Sequence, residues 1–169
     1  KKIEKKIDNF IINKSLIDYI NWFSAYNLVS KGMVLKMCLG DKKNSTKIEK
    51  LEKERIKKKT IKFILNKDQK KSLEDLRKFG NSFNVSLLQG VTGSGKTIIY
   101  FERIKKILKE GQQVLILLPE IFLTNQFKER FEEFFGFLPA IWHSKIGIKS
   151  KRKIWQGVAN NSLDLVIGA

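Results

Sequence analysis

Apolar residues recur along this chain in two rhythms, and the change from one to the other predicts where the architecture changes. Across residues 10–39 the rhythm is helical. Leu16, Ile20, Phe23 and Tyr26 return at three- and four-residue spacing, behind a Ser15 that can cap the helix and ahead of a Gly32 placed to stop it. Residues 41–62 lose the apolar stripe and become Lys/Glu-rich, with the basic run Arg55-Ile56-Lys57-Lys58-Lys59, which reads as an exposed helix or a linker. The helical rhythm then resumes behind Asn66-Lys67-Asp68-Gln69, with Leu73, Leu76 and Phe79 facing inward and Gly80-Asn81 at the end. Beyond it, short strand-like runs at 85–89, 114–118, 139–142 and 163–168 alternate with helix-like stretches at 97–110, 123–135 and 151–160. Apolar strands alternating with helices of that length predict an α/β fold of βαβ units, a parallel sheet covered by helices on both faces. The expected organisation is a small, mainly helical segment at 1–40, a Lys-rich linker at 41–64 and an α/β domain at 65–169.

Composition narrows the class without deciding it. With 169 residues and 42% hydrophobic side chains, the chain is long enough for one core and an appendage. Its apolar stretches at 114–118 and 134–140 fall far short of the roughly 20 residues that span a bilayer. The opening Lys1-Lys2-Ile3-Glu4 is no signal peptide, so the expected partners exclude a membrane. A lone cysteine, Cys38, forms neither an internal disulfide nor a zinc cluster, which fits a reducing cytoplasm. Lys and Arg outnumber Asp and Glu by 34 to 17, a formal charge of +17 that favours polyanionic partners, nucleic acid first among them. Abundant Lys, Ile and Asn also fit an AT-rich coding sequence, in which case part of the excess is drift on a solvated surface.

The strongest chemical signal follows the strand-like run 85–89. Gly90-Val91-Thr92-Gly93-Ser94-Gly95-Lys96-Thr97 satisfies GxxxxGK[ST], in the order strand, loop, helix. Glycines at 90, 93 and 95 let the backbone wrap a phosphate chain, so that N–H groups and a helix N-terminus converge on one anion. Lys96 can reach the outer phosphates of ATP, and the Thr97 hydroxyl can hold Mg²⁺. The competing explanation is a glycine-rich turn ahead of an ordinary helix.

The wider string is more specific. The phosphate loop with Tyr100, then Leu118-Pro119-Glu120-Ile121-Phe122-Leu123-Thr124-Asn125-Gln126, His143-Ser144, Trp155 and Val166-Ile167-Gly168-Ala169 together resemble the PriA (primosomal protein N′) family of replication-restart DNA helicases. The resemblance covers residues 63–169. Residues 26–39, with Lys31-Gly32-Met33-Val34-Leu35, resemble the end of that family's amino-terminal DNA-binding region. It implies a RecA-like first motor domain, ATP-driven 3′-to-5′ DNA unwinding at forks, primosome and single-strand-binding proteins as partners, and a cytoplasmic, nucleoid-associated location. It implies nucleotide contacts at Gly90, Val91, Thr92, Gly93, Ser94, Gly95, Lys96 and Thr97, with Lys96 and Thr97 catalytic and Thr97 at the metal. Gln69 matches the glutamine that reads adenine in related helicases, and its amide has the donor and acceptor this needs. With Asn66 it also forms a capping-box pattern, a purely local role. Thr124, Asn125 and Gln126 match a segment that contacts the backbone of a single DNA strand. They can equally cap and solvate the helix of Phe127, Phe131 and Phe134. His143 matches a family motif but reads as a structural histidine.

The chain also departs from the family pattern. The acidic motif that holds Mg²⁺ and positions water is expected beyond Ala169. The second motor domain, the cysteine-rich zinc module and the winged-helix domain have no counterpart in the sequence, and the resemblance fails between 40 and 62. The implied motor is therefore incomplete, and the chain alone is expected to hydrolyse ATP poorly and to leave Phe127, Phe131 and 114–118 exposed. The alternative is a noncatalytic nucleotide- or DNA-binding remnant of such a helicase.

Overall fold

The computed structural model describes residues 12–39, 63–78, 82–119 and 122–169. The expectations for the Lys-rich stretch 41–62, for Phe79 and for Gly80-Asn81 lie outside the described residues. The chain divides into two compact units, Lys1–Glu49 and Lys50–Ala169.

Among the described residues, the first unit has a pair of helices, α1 (Lys14–Asn27) and α2 (Lys31–Leu39). The cap is Asn13 rather than Ser15, because the Asn13 Oδ1 accepts from the Leu16 N–H at 2.8 Å. Nor does Gly32 stop α1. The helix ends four residues earlier, where Leu28 turns left-handed at φ 54° and its N–H reaches the Ser24 carbonyl. Gly32 instead lies in the first turn of α2, which Ser30 caps by accepting from the Met33 N–H at 3.3 Å. A serine hydroxyl just ahead of a helix outweighed the mild cost of glycine inside it. The helical spacing of Tyr19, Trp22, Phe23 and Tyr26 stacks their rings along α1, with Trp22 and Tyr26 nearly parallel, 5.4 Å apart.

The second unit is the α/β part. Its elements are α3 (Lys67–Arg77), α4 (Lys96–Lys109), β1 (Val114–Leu117), α5 (Asn125–Phe135), β2 (Ala140–Trp142), α6 (Ile148–Ala159) and β3 (Leu165–Gly168). The three strands form one parallel sheet in the order β1-β3-β2. The connection β1–α5–β2 crosses the sheet in one direction and β2–α6–β3 returns in the other. A common right-handed crossover therefore puts α5 and α6 on opposite faces, the doubly wound arrangement. Register aligns Val114, Ile116 and Ile141 with Leu165 and Ile167 on one face.

That face carries the core. Leu165 and Ile167 pack with Phe101 and Ile104 from α4 and Phe131, Phe134 and Phe135 from α5. Phe101 is the hub, with the rings of Phe127, Phe131, Phe134 and Phe135 centred 5.2–5.9 Å from it. Burying each such ring contributes about 1.5–3 kcal/mol relative to leaving it in water. Phe131 is thus fully buried, against the expectation that it would be uncovered. Within 114–118, as expected, Leu115 and Leu117 are exposed, on the opposite face of the edge strand.

The expected strand at 85–89 is absent from the sheet. Residues 83–91 carry no regular structure, and Val85 and Leu87 are 83% and 89% exposed. Their residue types suit a buried strand, but a strand exists only through its ladder partner, and none of the described strands pairs there.

Candidate phosphate-binding site

The phosphate loop sits where the sequence puts it, at the start of α4. Gly111 and two following residues turn the chain from α4 into β1, so α4 runs back along the sheet. Its N-terminus therefore lies at the carboxyl edge of the strands, the edge at which open α/β sheets receive ligands. The helix is held there by the burial of Ile99, Phe101 and Ile104.

Gly93 and Gly95 both take positive φ, +83° and +82°. A side chain at either position would be strained, and at Gly95 a Cβ would also collide with the Gln69 amide. The Ser94 N–H closes the turn on the Val91 carbonyl at 3.2 Å. Lys96 folds back over the loop, donating to the carbonyls of Gly90 at 2.6 Å and Val91 at 2.7 Å. Its ammonium is thus held in the concavity by neutral oxygens that a phosphate would outcompete, since a phosphate oxygen accepts the same hydrogen bond and adds ion–ion attraction. No acidic residue occupies the first turn of α4, and Lys106 and Lys109 stand in its last turn. The partial positive charge of the helix N-terminus is left free for an anion.

Both roles considered for Gln69 involve real contacts. The capping box is complete: the Gln69 N–H donates to Asn66 Oδ1 at 2.8 Å, and the Asn66 N–H to Gln69 Oε1 at 3.0 Å. The same amide reaches across, Nε2 donating to the Ser94 carbonyl at 3.0 Å. Capping fixes the side chain, and the fixed side chain ties α3 to the phosphate loop. One Nε2 hydrogen and one Oε1 lone pair remain for a base.

The Thr97 hydroxyl accepts from Tyr100 Oη at 3.1 Å. This partnership was missed in the sequence, although a threonine and a tyrosine three residues apart on one helix face are the signal that would have found it.

The proposed DNA contacts lie at the same sheet edge. Thr124 caps α5, its Oγ1 accepting from the Phe127 N–H at 3.2 Å, while Asn125 and Gln126 are exposed. Capping uses a lone pair of Thr124 and leaves its proton to donate. Of this segment, residues 120 and 121 lie outside the described residues. His143 Nδ1 accepts from the Lys145 N–H at 3.2 Å, the structural role read for it. Positive charge also gathers between α3 and α4, where Lys70, Arg77, Lys105, Lys106 and Lys109 face a groove with Glu102. Among the described residues, no cluster of three or more His, Cys, Asp or Glu could hold a metal, and no helix is long and apolar enough to cross a membrane.

A parallel doubly wound sheet with a lysine-bearing glycine loop at a helix N-terminus defines a P-loop nucleotide-binding α/β domain of RecA-like type. Residues 62–167 match the family described as Type III restriction enzyme, res subunit, and the chain belongs to that family. It is 36% identical to the Replication restart protein PriA of Rickettsia typhi over 170 residues, covering 100% of this chain and 26% of that protein. The proteins of the same name from Bacillus subtilis and Haemophilus influenzae are 40% identical over 114 residues and 43% over 104, covering 66% and 62% of this chain and 14% of each relative. The chain thus spans about a quarter of the length of the Rickettsia relative. That alignment also runs straight through residues 40–62, where the resemblance was expected to fail, and its length leaves no room for a domain inserted there in that relative.

Proposed function

We propose that the chain supplies the ATP-binding part of a DNA helicase of replication restart, a 3′-to-5′ motor working at forks in the cytoplasm with primosome and single-strand-binding partners. The observation that carries this reading is the phosphate loop, with Lys96 poised over Gly90 and Val91. Similarity to proteins named for replication restart supplies the context.

ATP and Mg²⁺ fit the groups present. The loop has the two left-handed glycines an enclosed phosphate requires. Its donors are a lysine, the opening N–H groups of α4 and a threonine hydroxyl, which is the chemistry of a phosphate and a hard cation. Lys96 exchanges its two carbonyls for the outer phosphates. The N–H groups of Gly93, Gly95, Lys96 and Thr97 hold the inner ones, and Thr97 offers Oγ1 to the metal. Mg²⁺, when bound there, would offset the negative charge of the phosphates. Gln69 has one donor and one acceptor left for adenine. Thr124, Asn125 and Gln126 donate to the phosphates of a single strand rather than to base edges.

Titration of the chain with single-stranded DNA of several sequences tests the nucleic-acid half of the proposal. Affinity is expected to fall steeply with salt and to vary little with sequence, and replacing both Asn125 and Gln126 by Ala should weaken all sequences alike. Salt-independent binding, or strong preference among strands of equal length, would contradict it.

A further inference from the structure

Tyr100 has a hydroxyl the nucleotide reading does not use, and its surroundings assign it a task. The ring is anchored: it packs against the core cluster and meets Phe101 edge-on, with centroids 5.4 Å apart. Helical side chains lean toward the N-terminus, so this ring lies back over the preceding turn and delivers Oη to Thr97 Oγ1 at 3.1 Å. Thr97 needs such a partner. A helical threonine divides between two χ1 rotamers because its hydroxyl can turn toward the carbonyl a turn earlier, and only one of them presents Oγ1 to a ligand at the helix start.

We propose that Tyr100 is a positioning residue that fixes the Thr97 hydroxyl for a divalent cation, and so makes nucleotide binding by this loop depend on Mg²⁺. The proposal rests on the phosphate-loop reading above. Tyr100 donates to one lone pair of Oγ1, leaving the other for the metal, and the anchored ring determines which way Oγ1 faces. Lys96 and the loop N–H groups grip phosphate without passing through this hydroxyl. Losing the Tyr100 hydroxyl should therefore impair the metal-dependent part of binding and spare the rest. A hydroxyl that merely found a convenient acceptor in a partly buried place would show no such division.

The test is a titration of the full chain with a fluorescent ATP analogue, in EDTA and across a range of MgCl₂. The variants are Tyr100→Phe, Thr97→Ala, both together, and Lys96→Ala, with circular dichroism melts as a check on folding. Tyr100→Phe keeps the ring and its packing. It should bind as wild type in EDTA but lose about three- to tenfold in the gain from Mg²⁺, the worth of one hydrogen bond. In the Thr97→Ala background the same substitution should cost nothing further, because the group it positions is gone. Unchanged Mg²⁺ dependence in Tyr100→Phe, equal weakening in EDTA and in Mg²⁺, or an undiminished effect in the Thr97→Ala background would each overturn the proposal. Full binding by Lys96→Ala would overturn the phosphate-loop reading itself, a different outcome from any of these.

Discussion

The two sides of α4 show how differently one element can be specified. Toward β1 and α5 it is packed: Phe101 sits among four other phenylalanine rings, and Ile104 is buried with it. Toward the amino terminus it opens into the phosphate loop, whose preceding residues 83–91 are exposed and join no strand. Yet the loop is no less defined. Two glycine dihedrals, the Lys96 carbonyl contacts and the Gln69–Ser94 bond hold it in shape. The core is fixed by burial, which is non-directional and roughly proportional to area. The loop is fixed by hydrogen bonds and backbone geometry, which are directional and local. Substitutions in the first should act on stability, and substitutions in the second on ligand binding.

The largest effect expected is from Phe131→Ala. It empties a fully buried ring site and should cost about 3–5 kcal/mol, read as a large drop in thermal midpoint. Nucleotide affinity of the fraction still folded should stay unchanged. An affinity loss that outruns unfolding would break the division between the two regions.

Gly95→Ala should reverse the pattern. The left-handed φ costs about 1–2 kcal/mol for a residue with a side chain, and the new Cβ displaces the Gln69 amide. A modest shift in melting should accompany at least a tenfold loss of ATP binding, whereas wild-type binding by this variant would mean that the loop shape is not what binds.

The smallest effect lies on the exposed face of α3. Lys78 donates to Asp75 at 2.6 Å, and this bond first, the charge second, holds the Asp75 carboxyl below its ordinary value and the Lys78 ammonium above its own. A depressed carboxylate stabilises the fold at neutral pH and loses that contribution as pH falls through its folded value. On so exposed a pair the change should be slight. An NMR titration should place the Asp75 midpoint below that of a free aspartate, and Lys78→Ala should return it toward that value. An unmoved midpoint would show that the pair does not form in solution.

Much of this architecture could be read from residues alone, and the exceptions share a cause. The phosphate loop, the capping box at Asn66 and Gln69 and the periods of α4, α5 and β1 are written within a few positions, and the structure has them. Thr124 as the cap of α5 was equally local, and so was left open only between two uses of one hydroxyl. Run 85–89 failed because whether apolar residues become a strand is decided by a neighbour distant in sequence. Phe131 was misjudged for the same reason: its cover comes from Phe101, thirty residues earlier. At Ser15 and Gly32 the competition was between nearly equivalent caps, settled by which side chain reached an open N–H. The Gln69–Ser94 and Tyr100–Thr97 bonds join residues whose separate roles were legible, but whose meeting required geometry.

The nucleotide reading depends above all on the exposed loop at the head of α4 acting as a phosphate cradle closed by Lys96. Isothermal titration of the chain with ATP in the presence of Mg²⁺, alongside Lys96→Ala, tests it most directly. Saturable binding by wild type and a loss of at least tenfold in the variant are expected, with both proteins melting alike. Equal binding by the two, or no binding by a folded wild-type chain, would contradict it.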